Sequence, residues 1–118
     1  MPLGSGSSAG SLPPASIYAT WFENLELRDI EDGSLLDLTP ATEITIRLKD
    51  PFSKFDELTL TLTNGDIVVP AFGVIEWTVS QSAMGTLRPK LYQCIITVQF
   101  TNPENTVMAF NGPISITE

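Results

Sequence analysis

The fold is decided by the stretch LYQCIITVQF, residues 91–100, in which side-chain character repeats every two positions. Apolar side chains stand at every second position from Tyr92 to Phe100, and mostly polar ones stand between them. Because the side chains of a β-strand point alternately to its two faces, this pattern predicts a strand with one buried face. A buried face needs a second layer to pack against, so the stretch predicts a small β-sandwich or barrel.

The same alternation recurs on both sides of this stretch. Residues 43–49, 58–63 and 74–79 each carry apolar side chains at every second position, and Asn64-Gly65 is a strong hairpin signal. We expect about seven to eight short antiparallel strands, with a short extended segment at 35–38, separate final strands at 107–110 and 114–117, and at most a helical turn within residues 80–87. The predicted core comprises Trp21, Leu25, Leu27, Ile44, Ile46, Leu48, Leu60, Ile75, Trp77, Tyr92, Cys94, Ile96 and Val98.

The chain divides by composition into an arm, residues 1–16, and a β-sandwich domain, residues 17–118. The arm is rich in Gly, Ser and Pro and has little apolar surface to offset the entropy of ordering, so we expect an extended, flexible segment. A cloning remnant is the alternative for this segment. A pliable arm with a few apolar anchors suits binding to a neighbouring subunit. The predicted partner-binding residues are Met1, Leu3, Leu12, Ile17 and Tyr18.

Charge and cysteine content exclude several classes of protein. The chain has 118 residues and a formal net charge of −8, and its six basic residues are scattered in sequence, which argues against nucleic-acid binding. The lone Cys94 has no partner for an internal disulfide and lies in a predicted buried face, which indicates assembly in a reducing compartment. No stretch is apolar enough to span a membrane, and the N-terminus does not resemble a signal peptide.

No residue pattern for catalysis accompanies this fold. The sequence has no histidine, which excludes Ser-His-Asp and Cys-His arrangements and histidine-ligated metals, and it has no phosphate-binding glycine loop. We therefore predict that the protein is not an enzyme and has no cofactor or metal. Two sets of acidic residues are the remaining candidates for a catalytic or metal site. Strand carboxylates suited to glycosidase chemistry, which we expect to face solvent, are Glu23, Glu26, Glu43 and Glu76. Clustered acids suited to Ca²⁺, which we expect to form turns instead, are Asp29, Glu31, Asp32 and Asp37.

Several short motifs follow one another along the chain after the arm. A D-G turn and a D-L-T-x-A-T element at residues 32–42 lead into an alternating strand at 43–50. A glycine hairpin at 62–67, a strand after Gly73, an L-x-P-x-x-Y segment at 87–92 and a Gly followed by a short strand at 112–117 complete the pattern. Taken in this order, these segments resemble a family of small tailed-bacteriophage virion structural proteins, and the resemblance covers about residues 20–118 and leaves out the arm. The chain is similar to the immunoglobulin-like N-terminal domain of phage upper baseplate proteins.

The resemblance implies an immunoglobulin-like β-sandwich and a virion structural or adaptor role, in the tail, baseplate or neck. It implies assembly in the host cytoplasm, residence in the virion, and other virion proteins as partners, in several copies of a symmetric assembly, with no nucleic acid or membrane. A capsid-decorating protein is one alternative. A carbohydrate-binding β-sandwich is another, and it requires exposed aromatic side chains, for which the candidates are Phe22, Phe52, Phe55 and Phe72. Trp21 and Trp77 are instead expected in the core.

Overall fold

The computed structural model describes residues 12–29, 31–101 and 106–118. Within these ranges the chain forms eight β-strands and one short helix, so the all-β prediction is confirmed. In chain order they are β1 (Ala15–Ser16), β2 (Trp21–Glu26), β3 (Ala41–Lys49), β4 (Asp56–Thr61), β5 (Ile67–Ala71), β6 (Val74–Val79), α1 (Gln81–Met84), β7 (Lys90–Phe100) and β8 (Val107–Thr117).

The strands form two sheets that share one hydrophobic core. Five strands make one sheet in the order β1-β8-β7-β3-β4, and three make the other in the order β2-β6-β5. The strand pairs are antiparallel except for β1 and β8, which run parallel. The two long strands β7 and β8 lie side by side in the larger sheet, which gives it a broad outer face.

The period-two pattern places the core as predicted. On β7 the side chains of Tyr92, Cys94, Ile96 and Val98 are all buried, and the intervening residues from Gln93 to Gln99 are only half-buried. The neighbouring β3 pairs with β7 so that Ile46 lies opposite Ile96, both inside. Twelve of the thirteen predicted core residues are buried, and the exception, Leu25, packs partly buried against the core.

Trp21 and Trp77 are core residues, as expected. Their rings meet edge to face with centroids 5.6 Å apart, and neither indole Nε1 has a hydrogen-bond partner among the described residues. An unpaired buried donor costs about 1–3 kcal/mol. The apolar area of two large rings offsets that cost, so they act as packing groups and not as ligand platforms.

Local sequence explains the connections. Gly65 in the β4–β5 turn and Gly73 in the β5–β6 turn have φ of +82° and +70°, a region that favours glycine. The close approach of a neighbour adds a second constraint at Gly73, where a Cβ would stand 2.6 Å from Leu35 Cβ. The predicted helical turn is α1, whose N-cap Ser80 accepts a hydrogen bond from the Ala83 backbone N–H through its side chain.

The N-terminal boundary differs from the sequence prediction. Leu12 is only 7% exposed, Ala15 is also buried, and β1 adds residues 15–16 in parallel to the end of β8. The backbone N–H of Leu12 donates to Pro113 O at 3.3 Å. Residues 12–16 therefore belong to the folded body, which corrects the predicted boundary at 16/17, while residues 1–11 lie outside the described residues.

Two strand predictions also need correction. The C-terminal segment is one strand, β8, because Gly112 and Pro113 stay paired in register with Cys94 and Gln93 of β7, and the register shift lies elsewhere, opposite Ile96 and Thr97. Residues 35–38, predicted as extended, make only an isolated bridge between Leu35 and Arg28. Local periodicity predicts neither outcome, because both depend on hydrogen-bond pairing with a neighbouring strand.

Candidate functional site

A groove of about 340 Å³ lies on the outer face of the five-stranded sheet. We call it the β7–β8 groove. Its walls come from two adjacent strands and from the loop after β3, and they include Pro51, Leu91, Gln93, Asn111, Gly112 and Pro113. Gln93 pairs with Pro113 and Leu91 pairs with Ser115 across the two strands, so the register of β7 and β8 sets the groove floor. The lining is mainly apolar, with two amide side chains as polar groups.

The amide groups are held in place by each other. Gln93 Nε2 donates to Asn111 Oδ1 at 2.6 Å. Each amide keeps further hydrogen-bonding capacity, because Asn and Gln side chains carry both donors and acceptors. The groove thus offers oriented polar groups beside apolar surface, the usual composition of a binding site.

The loop of residues 50–55 forms the rim of the groove, and Asp50 fixes its shape. Asp50 accepts hydrogen bonds from the backbone N–H groups of Phe52 and Ser53 and pairs with Lys90 Nζ at 2.5 Å. The Lys90 ammonium, followed by the Phe52 N–H, lowers the pKa of the Asp50 carboxyl to about 2. This arrangement presents Phe52 to solvent with 91% of its surface exposed.

The buried side of β7 fixes the position of the start of this strand. Tyr92 is buried, and its hydroxyl donates to Arg88 O at 3.0 Å and accepts from Arg88 N at 3.2 Å. The Lys90 ammonium also lies 5.6 Å from the centre of the Tyr92 ring. The start of β7 is therefore tied to the segment before it through Tyr92 and to the loop of residues 50–55 through Lys90.

A second groove, of about 420 Å³, lies at the opposite layer of the molecule. It is lined by Leu38 and Thr39 from one loop and by Val69, Ala71 and Phe72 from the β5–β6 hairpin. Val69 and Phe72 are exposed, so this hairpin also presents apolar surface to solvent.

The structure separates the predicted partner-binding residues. Leu12 is buried in the core of its own chain, which corrects its prediction as a partner anchor. Ile17 is partly buried against that core, and its carbonyl accepts from Gln81 Nε2 at 3.2 Å. Tyr18 is 68% exposed. Met1 and Leu3 lie outside the described residues, so the predicted set is not brought together as one site.

The strand carboxylates do not converge. Glu26 and Glu76 are on the outer face of the three-stranded sheet, and Glu26 pairs with Arg28 at 3.0 Å. Glu43 binds the backbone and hydroxyl of Thr63 and has a lowered pKa because of that hydroxyl. The prediction of a solvent-facing position is wrong for Glu23, which lies on the inward side of β2 opposite Trp77 and is half-buried.

The clustered acids form turns, as expected. Asp29, Asp32 and Asp37 each accept a backbone N–H two residues ahead, from Glu31, Ser34 and Thr39 respectively. Hydrogen bonds from Ser34 and Thr39 lower the pKa values of Asp32 and Asp37. Among the described residues no group of three or more acidic or cysteine side chains is placed to hold a metal ion.

The aromatic candidates for ligand contact are all exposed: Phe22, Phe52, Phe55 and Phe72. Phe52 and Phe55 share the rim loop, Phe72 lies at the second groove, and Phe22 is on the outer face of β2. The sequence prediction did not identify the groove residues Leu91 and Pro113. Their signal was an apolar residue at an outward position of an alternating strand, and Leu91 is 57% exposed there.

No protein-family model matches this chain, and no curated protein matches it in sequence. Within the described part of the chain, no helix has the length and hydropathy needed to cross a membrane.

Proposed function

We propose that this protein is a non-catalytic structural or adaptor component of a tailed-bacteriophage virion, in the tail, baseplate or neck. It assembles in the host cytoplasm by non-covalent contact with other virion proteins. The observation that carries the proposal is the apolar surface on the rigid sheet around the β7–β8 groove, where Phe52 and Leu91 are 91% and 57% exposed. Exposed apolar surface held by a rigid scaffold is typical of protein interaction sites.

We further propose that the two sheets form an immunoglobulin-like sandwich. The strand order supports this assignment, because β2-β6-β5 corresponds to strands B-E-D and β8-β7-β3-β4 corresponds to G-F-C-C′ of that fold. Tyr92 also supports it. A tyrosine near the start of strand F, two residues before a cysteine and bonded to backbone just upstream, is a hallmark of such domains, and Tyr92, Cys94 and Arg88 reproduce it. Cys94 here is a free, buried thiol.

The virion assignment rests on the ordered sequence resemblance across residues 20–118. Two of its elements have a clear structural role in this chain. The D-G turn places Gly33 at φ +74°, and the L-x-P-x-x-Y segment supplies Leu87 to the core and Tyr92 to the hydrogen bond with Arg88. These elements stabilise the domain that the resemblance implies. The mechanism that we propose is assembly with other virion proteins through the surface of this domain.

Co-purification with particles tests the virion proposal. Phage particles from a culture of the source organism are banded on a density gradient, and peptides of this chain are sought by mass spectrometry. We expect the chain to co-sediment with intact particles and to remain after a high-salt wash. An antibody against it should then label tails in electron micrographs. Labelling of heads would support the capsid-decorating alternative, and absence from purified particles would refute the virion role.

Two variants, compared in the same experiment, distinguish which part of the chain forms the interface. Deleting residues 1–11 removes Met1 and Leu3 and leaves the buried Leu12, whereas Leu91→Asp places a charge on the groove surface. If residues 1–11 hold the protein to its partner, the deletion alone abolishes incorporation. If the groove is the docking surface, Leu91→Asp abolishes it. Thr59→Asp provides a matched control, because Thr59 is an exposed residue on the edge strand β4.

A carbohydrate-binding module is the second candidate, and a specific observation favours it. Phe52 is the residue after the groove-lining Pro51, and the Gln93–Asn111 amide pair lies in the same groove. An apolar ring beside oriented amides suits a sugar, whose faces are apolar and whose hydroxyls bind amides. Titration with oligosaccharide fragments of bacterial surface polymers, followed by calorimetry, tests it. Binding that is lost in Phe52→Ala and retained in Phe22→Ala would support a sugar site at the groove.

A further inference from the structure

The described part of the chain begins beside the β7–β8 groove. The backbone N–H of Leu12 donates to Pro113 O at 3.3 Å, and Pro113 is itself one of the residues that line the groove. Leu12 is buried in the core, and the pairing of Ala15 with Ile116 holds the residues that follow it against β8. The point from which residues 1–11 extend is therefore fixed at the edge of β8, next to the groove.

The sequence of residues 1–11 has two unlike parts. Residues 1–3 are Met, Pro and Leu, which are all apolar, whereas residues 4–11 are all Gly, Ser or Ala. A Gly/Ser-rich linker of eight residues spans about 16 Å on average, and neighbouring strands of a sheet lie about 4.8 Å apart. Residues 1–3 can therefore reach the groove, because it lies over β8 and the adjacent strand β7.

The groove has the surface that a short apolar peptide needs. Leu91 and Pro113 are exposed and provide apolar area to bury. The hydrogen bond from Gln93 Nε2 to Asn111 Oδ1 leaves Gln93 Oε1 and Asn111 Nδ2 without a partner among the described residues. One acceptor and one donor are thus available for the backbone N–H and C=O groups of a peptide.

We propose that the apolar end of this chain, Met1-Pro2-Leu3, binds in the β7–β8 groove of its own chain. The occupant is this segment because residues 4–11 join it to a point at the groove wall. A short linker of this kind gives the segment an effective concentration in the millimolar range, so a contact of modest affinity is enough to fill the groove. Leu3 supplies the main anchor, and Gln93 and Asn111 bind the backbone beside it.

This contact controls access to the groove. Any external ligand that docks on Leu91 and Pro113 must first displace residues 1–3, so its apparent affinity is reduced by the fraction of time for which the groove is free. The chain therefore carries its own competitor for the surface. The inference concerns the isolated chain and does not require a virion role.

Nuclear magnetic resonance of the full chain tests the proposal through the side-chain amides of Gln93 and Asn111. Leu3→Asp replaces the apolar anchor with a charge, so we expect the signals of both amides to shift as the groove empties. Ser7→Asp is the matched control, because it adds the same charge within residues 4–11 and leaves residues 1–3 intact. The side-chain amide of Asn24, on the outer face of β2, should not move in either variant. Equal shifts of the groove amides in the two variants, or no shift in either, would overturn the proposal.

Dilution distinguishes binding within one chain from binding between chains. A contact within the chain does not depend on protein concentration, so the amide signals of the wild-type chain should keep their positions as the protein is diluted. Signals that move on dilution towards those of Leu3→Asp would show that the segment comes from another copy. That result would also overturn the proposal.

A synthetic peptide with the sequence of residues 1–11 provides a second measurement. It should bind the Leu3→Asp chain about tenfold more tightly than the wild-type chain, the ratio for a wild-type groove that is free about one-tenth of the time. The same peptide with Asp in place of Leu3 should bind neither chain. Equal affinity of the unmodified peptide for the two chains would refute occupancy of the groove, while co-sedimentation with phage particles decides the virion role separately.

Discussion

Two neighbouring isoleucines on β7 provide a direct test of the strand faces. Ile96 is buried at the centre of the larger sheet, between Ile46 of β3 and Phe110 of β8. Ile95 points to the outer face and is half-buried, opposite Arg47. The same substitution to alanine at both positions removes the same atoms and the same strand propensity. The difference between the two free energies of unfolding therefore measures burial alone.

We expect Ile96→Ala to lower the free energy of unfolding by about 2–5 kcal/mol, through lost apolar burial and the cavity that remains. Ile95→Ala should lower it by about 1 kcal/mol, the scale of β propensity with partial burial. Urea unfolding followed by fluorescence of the buried tryptophans gives both values, with equal m-values showing that the unfolding reaction is unchanged. Equal losses at the two positions, or a larger loss at Ile95, would refute the assignment of faces and with it the outward position of the groove.

Three further predictions concern single residues. Asp50→Asn should lower the free energy of unfolding at pH 7, because it removes the carboxylate that pairs with Lys90. That pairing lowers the folded-state pKa of Asp50 to about 2, so its stabilisation is lost on protonation and the difference from wild type should shrink as pH falls from about 4 towards 2. Free energies of unfolding that differ by the same amount across this pH range would contradict the prediction. Gly73→Ala should lower the free energy of unfolding in urea more than Gly65→Ala does. Both glycines have positive φ, but only at Gly73 would a Cβ meet another side chain, the Cβ of Leu35 at 2.6 Å. Cys94 should resist alkylation by iodoacetamide at pH 8 until urea unfolds the chain, because burial raises the pKa of its thiol to about 12; rapid labelling of the native protein would show that this face of β7 opens.

Much of the candidate site could not be predicted from the sequence, and the loop of residues 50–55 shows why. Only the antiparallel pairing of β3 with β7 places the end of β3 beside the start of β7. The same register brings Asp50 to Lys90, forty positions away, and so shapes the loop that presents Phe52. The exposed state of that phenylalanine depends on a contact that no local pattern encodes.

The sequence alone determined the all-β class, the buried faces of β3 and β7, and the glycine turns. These follow from local geometry, because alternation in a strand is a property of the backbone and positive φ is a property of glycine. Tertiary structure decided that Leu12 joins the core, that β8 runs unbroken past Pro113, and that Glu23 faces inward. Each of these depends on a partner distant in sequence: an open strand edge, continuous pairing with a neighbouring strand, or the opposite layer of the core. Such contacts form only when the chain folds, so the positions of the grooves are properties of the folded chain.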